Sequence, residues 1–102
     1  MKFGLNEAII KQIQSVFASF PEIDEVIIYG SRAKGNYKHG SDIDLAFSGS
    51  KLDLYILNSI GLALDELYLP YTFDLSIIEH IDNTELIEHI KRVGISFHKQ
   101  QS

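Results

Sequence analysis

Gly30-Ser31-Arg32-Ala33-Lys34-Gly35, followed by Ser41-Asp42-Ile43-Asp44-Leu45, constrains this chain more than any other stretch. An apolar, β-branched segment, Glu25 to Tyr29, runs directly into the Gly-Ser pair and reads as a buried strand. The chain comes back through a second apolar segment with aspartates at alternate positions. In an extended strand alternate side chains share a face, so Asp42 and Asp44 point the same way, about 6–7 Å apart. Ile43 and Leu45 then point into a core. Two carboxylates beside a glycine turn suit divalent cations that carry a polyphosphate.

The turn has its own physical logic. Gly30 admits backbone angles that other residues resist and lets a ligand come close. Ser31 and the amides after it would open a short helix, Ser31 to Gly35, where unpaired N–H groups favour anions. The Ser31 hydroxyl can add a hydrogen bond to a phosphate oxygen. Arg32, Lys34 and Lys38 gather positive charge in this segment, although the chain as a whole carries a net charge of −5. A local positive patch on an acidic chain fits a small anion better than a long polyanion, so nucleic acid is not the expected partner.

The rest of the chain supports a sheet with helices. Asn6 caps a predicted helix running to about Phe20, with Ile9, Ile10, Ile13, Val16, Phe17 and Phe20 at helical spacing and Pro21 as its stop. Asp42 to Phe47 reads as the second strand. A long helix is predicted from about Leu52 to Tyr68, and a third strand over Thr72 to Ile78. Asp82, Asn83 and Thr84 offer caps for a last helix ended by Gly94. Ile95 to Phe97 reads as a short extended piece, and Lys99 to Ser102 as a frayed polar tail. The expectation is one α/β (α+β) domain over residues 1–102, a small mixed sheet flanked by helices. There is no cysteine, no signal-like start and no apolar run long enough for a bilayer, so a soluble cytoplasmic protein is expected.

Asp74 stands alone among the apolar residues of the third strand. Placed beside Asp42 and Asp44 it would make a third carboxylate on one polar face. Three like charges repel and raise at least one pKa, a conflict that a bound Mg²⁺ removes. Of the histidines, His39 precedes Asp42 and could touch phosphate, while His80, His89 and His98 read as surface or packing residues. Tyr55, Leu62 and Leu69 fall seven apart on the polar face of the long helix and suggest a protein contact.

The glycine segment and the Asp-x-Asp strand together resemble the nucleotidyltransferase signature of the DNA polymerase β superfamily. In its short length the chain is similar to the minimal nucleotidyltransferases of bacteria and archaea. Where Lys34 stands, that segment often carries Arg; the change keeps the charge and loses bidentate geometry. The resemblance implies a polymerase-β-like fold and a nucleotidyltransferase activity. It implies catalytic and metal-binding roles for Asp42, Asp44 and Asp74, with two Mg²⁺ ions bridging an ATP triphosphate. It implies nucleotide contacts from Gly30, Ser31 and either Arg32 or Lys34. It further implies a partner, a HEPN-domain toxin, and an antitoxin role in which AMP passes from ATP to a tyrosine hydroxyl of that partner. The competing readings are a non-catalytic module that neutralises a toxin by binding alone, and a transferase acting on a small molecule or an RNA end. A homo- or hetero-oligomer is compatible with either.

Overall fold

The computed structural model describes residues 2–100. Its centre is a four-stranded sheet in the order β3-β2-β1-β4. The strands are β1 (Glu25–Tyr29), β2 (Ile43–Ser48), β3 (Phe73–Ile77) and β4 (Ile95–Lys99). The helices are α1 (Glu7–Ala18), α2 (Gly30–Lys34), α3 (Leu54–Asp65) and α4 (Thr84–Val93). β1 pairs antiparallel with both β2 and β4, whereas β2 and β3 run parallel. A parallel pair needs a crossover, and α3 supplies it.

Alternation along the strands sorts the two faces. Val26 and Ile28 of β1 and Ile43, Leu45 and Phe47 of β2 join Ile13 and Phe17 of α1 and Ile60 and Leu64 of α3 in the main core. The Phe17 ring meets the edge of Phe47 at 5.3 Å and lies 6.0 Å from Phe97 of β4. The opposite face is smaller. Tyr29 and Ala46 pack there with Ile90 of α4, bordered by Ile27, Ile78, Ile81, Leu86 and Val93. Asp44 and Asp74 lie on this smaller face.

The helix starts follow their caps. Asn6 Oδ1 accepts the Ile9 amide at 2.8 Å, Asp53 Oδ1 accepts Ile56 at 2.8 Å, and Asn83 Oδ1 accepts Glu85 at 2.9 Å. Three boundaries of α1 and α3 differ from the sequence expectation. α1 ends at Ala18, ahead of Phe20. α3 is shorter than Leu52–Tyr68 because Asp53 caps its start and Tyr68 takes φ +52, which no helix continues through. Leu69 therefore lies beyond the helix, packed against the main core, and Tyr55 and Leu62 alone remain of the expected stripe, 77% and 65% exposed.

The chain end differs more. Ile95 to Lys99 is a full edge strand on β1, with a register shift between Val26 and Ile27. Gln100 is anchored where a loose tail was expected. Its amide bonds Asp24 O at 2.9 Å, and its side-chain nitrogen reaches the carbonyls of Phe17, Phe20 and Ile23 at 3.2, 2.7 and 3.1 Å. Those carbonyls close the end of α1 and the turn after it, where helical partners run out. Gln101 and Ser102 lie outside the described residues.

Candidate active site

β1 delivers the chain to the site and α2 turns it away. Gly30 opens α2 at φ +74, and Gly35 closes it in the left-handed region at φ +89. The positive φ at Gly30 is one reason for glycine; space is the other. A Cβ built at Gly30 would fall on Asp44 Oδ2. The Gly-Ser turn therefore lies against the carboxylate of the neighbouring strand with no room for a side chain between them.

Strand pairing assembles the rest. Tyr29 stands opposite Asp44 in the antiparallel β1–β2 pair, and Asp44 is level with Asp74 in the parallel β2–β3 pair. Ala46 is level with Ser76 one step further on. Asp44, Asp74, Ser76 and Tyr29 thus share the sheet face on which α4 packs. Asp42 sits just before the first residue of β2.

Electrostatics record the crowding. Burial lifts the Asp44 carboxyl above its ordinary range, the charges of Asp74 and then Asp42 push it the same way, and His89 opposes them. The Tyr29 hydroxyl is raised chiefly by burial, against a hydrogen bond with Ser76, with Asp74 and Asp44 adding repulsion. Carboxylates forced together in this way favour a positive counter-charge.

The three acids are neighbours, but they do not close on a common point. Among the described residues no group of three or more His, Cys, Asp or Glu side chains stands in place to hold a metal ion. Asp42 and Asp74 are exposed and Asp44 is half-buried. The donor set nevertheless fits a hard divalent cation: it is all oxygen, it is mutually repelling, and it lies on adjacent strands.

Ser31 is half-buried in the first turn of α2, and Lys34 is exposed in its last. Arg32 is turned inward instead, 3% exposed. Its Nε and Nη2 donate to Ser41 O at 3.0 and 2.9 Å, and Nη1 donates to Phe3 O at 2.8 Å. The nucleotide contact expected of Arg32 does not fit this placement, because the guanidinium is enclosed and three of its N–H groups are engaged. His39 is exposed in the loop between α2 and β2.

Two residues of the site escaped the sequence reading. Tyr29 is read there only as the end of a buried strand and His89 as surface or packing, yet their rings meet edge to face at 6.1 Å beside Asp44. A signal was available for both. Tyr29 immediately precedes Gly30, and His89 adjoins Ile90 on the apolar stripe Leu86, Ile90, Val93 of an amphipathic helix.

A crystal structure of a toxin–antitoxin with AMP-PNP aligns over 95% of this chain and 76% of its own, at TM-score 0.71 and 22% identity. A tri-AMPylated HEPN toxin in complex with MNT antitoxin, from Shewanella oneidensis, aligns over 95% and 75%, at TM-score 0.68 and 17% identity. At these identities the likeness is one of fold. Curated proteins give no match. The family model described as polymerase beta, nucleotidyltransferase matches residues 11–102, which takes in every element of the site, and the chain belongs to that family.

Proposed function

We propose that the protein is a Mg²⁺-dependent nucleotidyltransferase that moves AMP from ATP to a hydroxyl of a HEPN-domain partner, and so acts as an antitoxin. The observation that carries this reading is the seat of Gly30 against Asp44, with Asp74 level on the next strand. Membership of the nucleotidyltransferase family supports the reaction class. The fold shared with an AMP-PNP-bound toxin–antitoxin and with a tri-AMPylated HEPN toxin complex supports the nucleotide and the partner.

The roles follow from the chemistry of each group. Gly30 and Ser31 hold the β- and γ-phosphates through backbone amides and the Ser31 hydroxyl. Lys34, exposed at the end of α2, adds charge toward phosphate or acceptor. Asp42, Asp44 and Asp74 are the residues that would hold Mg²⁺. When bound, Mg²⁺ neutralises the triphosphate and the departing pyrophosphate. Asp74, exposed at the sheet edge, would receive the proton of the attacking hydroxyl, and the new phosphoester bond forms as the α–β phosphoanhydride bond breaks. Alignment of the two reactants supplies most of the rate.

The fold shared with toxin–antitoxin complexes also supports a second reading, a module that neutralises its partner by contact alone. One experiment separates the two. The purified chain is incubated with ATP, Mg²⁺ and a HEPN-domain partner, and intact masses are measured. The expected result is a partner heavier by whole AMP units, with no gain for Asp44→Asn. Tight binding without a mass change would establish the second reading.

A further inference from the structure

Arg32 is a buried cation with no counter-ion among the described residues. Among the described residues the ion pair formed is Lys11–Glu7, at 4.0 Å on the surface. The Arg32 charge is met instead by two backbone carbonyls and two rings: Tyr71 at 5.1 Å and Tyr37 at 5.4 Å from the guanidinium carbon. Burying an unpaired charge is costly unless it is fully hydrogen-bonded. A side chain bound this tightly fixes whatever it bonds to, and its principal partner is the carbonyl of Ser41, the residue before Asp42.

We propose that Arg32 is a positioning residue: its fork on Ser41 O, braced by Phe3 O and stacked between Tyr37 and Tyr71, holds Asp42 at the entry to β2 and ties the N-terminal turn to the active site. Lys38 and Ser41 make the loop a closed unit. The Lys38 amide donates to Ser41 Oγ at 2.8 Å, and the Ser41 amide donates to Lys38 O at 3.0 Å. The guanidinium clamps that unit from below. A two-donor hold on one carbonyl oxygen needs Arg; the point charge of Lys cannot reproduce it.

The N-terminal turn is the other end of the clamp. Lys2 and Leu5 pair across it, and Leu5 is fully buried. Gly4 has φ +74, and a Cβ there would stand 2.8 Å from Arg32 Nη1 and would also strike the Tyr37 ring. Gly4→Ala therefore disturbs the guanidinium from a residue that touches neither nucleotide nor acid.

The inference rests on Asp42 belonging to the working site, so its test reads the loop as well as the reaction. Arg32→Lys and Gly4→Ala are compared with wild type by hydrogen exchange, by Mn²⁺ affinity from electron paramagnetic resonance, and by AMP transfer. In both variants amide exchange over Lys38 to Ile43 is expected to rise roughly tenfold or more, with β1 and β4 unchanged. Mn²⁺ binding should weaken about tenfold, and kcat should fall while KM for ATP stays within about twofold. Unchanged loop exchange would overturn the proposal. So would a raised KM for ATP with kcat and loop exchange intact, which would return Arg32 to direct nucleotide contact. Should Arg32→Lys lose protection throughout the sheet, Gly4→Ala decides. Should wild type transfer no AMP, the functional reading fails while exchange over Lys38 to Ile43 still decides the role of Arg32.

Discussion

Gly30→Ala perturbs the site at its tightest point, and its cost has two separable parts. The first is backbone strain: φ is +74 at Gly30, and a left-handed conformation costs a residue with a Cβ about 1–2 kcal/mol. The second is steric, because the methyl falls on Asp44 Oδ2 and the carboxyl must rotate away. An off-rotamer side chain costs about 0.5–1.5 kcal/mol, which brings the sum to roughly 1.5–3.5 kcal/mol. Gly35→Ala is the matched control, since φ there is +89 and a Cβ would meet nothing within 4 Å. It carries the backbone part alone. The two variants should thus differ by about 1 kcal/mol, or about 4–8 °C in melting temperature for a chain of this size. Activity should separate them further. A displaced carboxylate in a positioning-dependent reaction costs on the order of 100-fold, while Gly35→Ala should stay within a few-fold of wild type. A third comparison needs no activity. With Asp44→Ala the nearest remaining atom of residue 44 is its Cβ at 3.6 Å, an ordinary contact, so adding Gly30→Ala should then cost only the backbone part. The reasoning is refuted if Gly30→Ala and Gly35→Ala melt together, or if the Gly30 penalty is the same with and without the Asp44 carboxyl.

Asp44→Asn tests the charge on the same atom. Because the Asp44 carboxyl is raised above the ordinary 3.8 by burial and by Asp74 and Asp42, the folded state binds its proton more tightly than the unfolded chain. Stability therefore falls as pH climbs from that ordinary value through the raised one, and stays lower above it. In metal-free buffer at neutral pH Asp44→Asn should resist urea better than wild type, with the gap closing toward pH 3.8; a destabilised Asp44→Asn would contradict the electrostatic account. His98 carries the opposite sign. Burial lowers its imidazole below 6.5 against a hydrogen bond with Gln100, and Nε2 is buried with no hydrogen-bond partner among the described residues. Its stabilising contribution is complete above 6.5 and is lost as pH falls toward the depressed native value, so His98→Phe should flatten the acid side of the stability curve; an unchanged slope would assign that slope to another group. Tyr55→Glu with Leu62→Glu alters side chains 77% and 65% exposed, so the melting temperature should hold while association with a HEPN-domain partner weakens in sedimentation. Equal association of both proteins would discard this helix face as an interface.

The parts of the fold that sequence exposed are those in which a local rule decides the structure. Period-two alternation placed Asp44 and Asp74 on one face, and parallel register then brought them level. Asn6 and Asn83 start their helices because an accepting side chain meets an amide two or three residues ahead. What stayed hidden depends on partners remote in the chain. Gln100 closes the end of α1 across a separation of about 80 residues, and nothing near it in sequence signals that bond. Arg32 is the sharper case. A basic residue in a glycine segment beside acids reads as a ligand contact, and only Phe3, 29 residues away, together with Tyr71, turns it inward. The two errors share a cause. Polar side chains were read from their immediate neighbours, whereas an enclosed polar group is placed by the distant carbonyls that can accept from it. In this fold the acids that face solvent were legible and the residues that hold them in place were not.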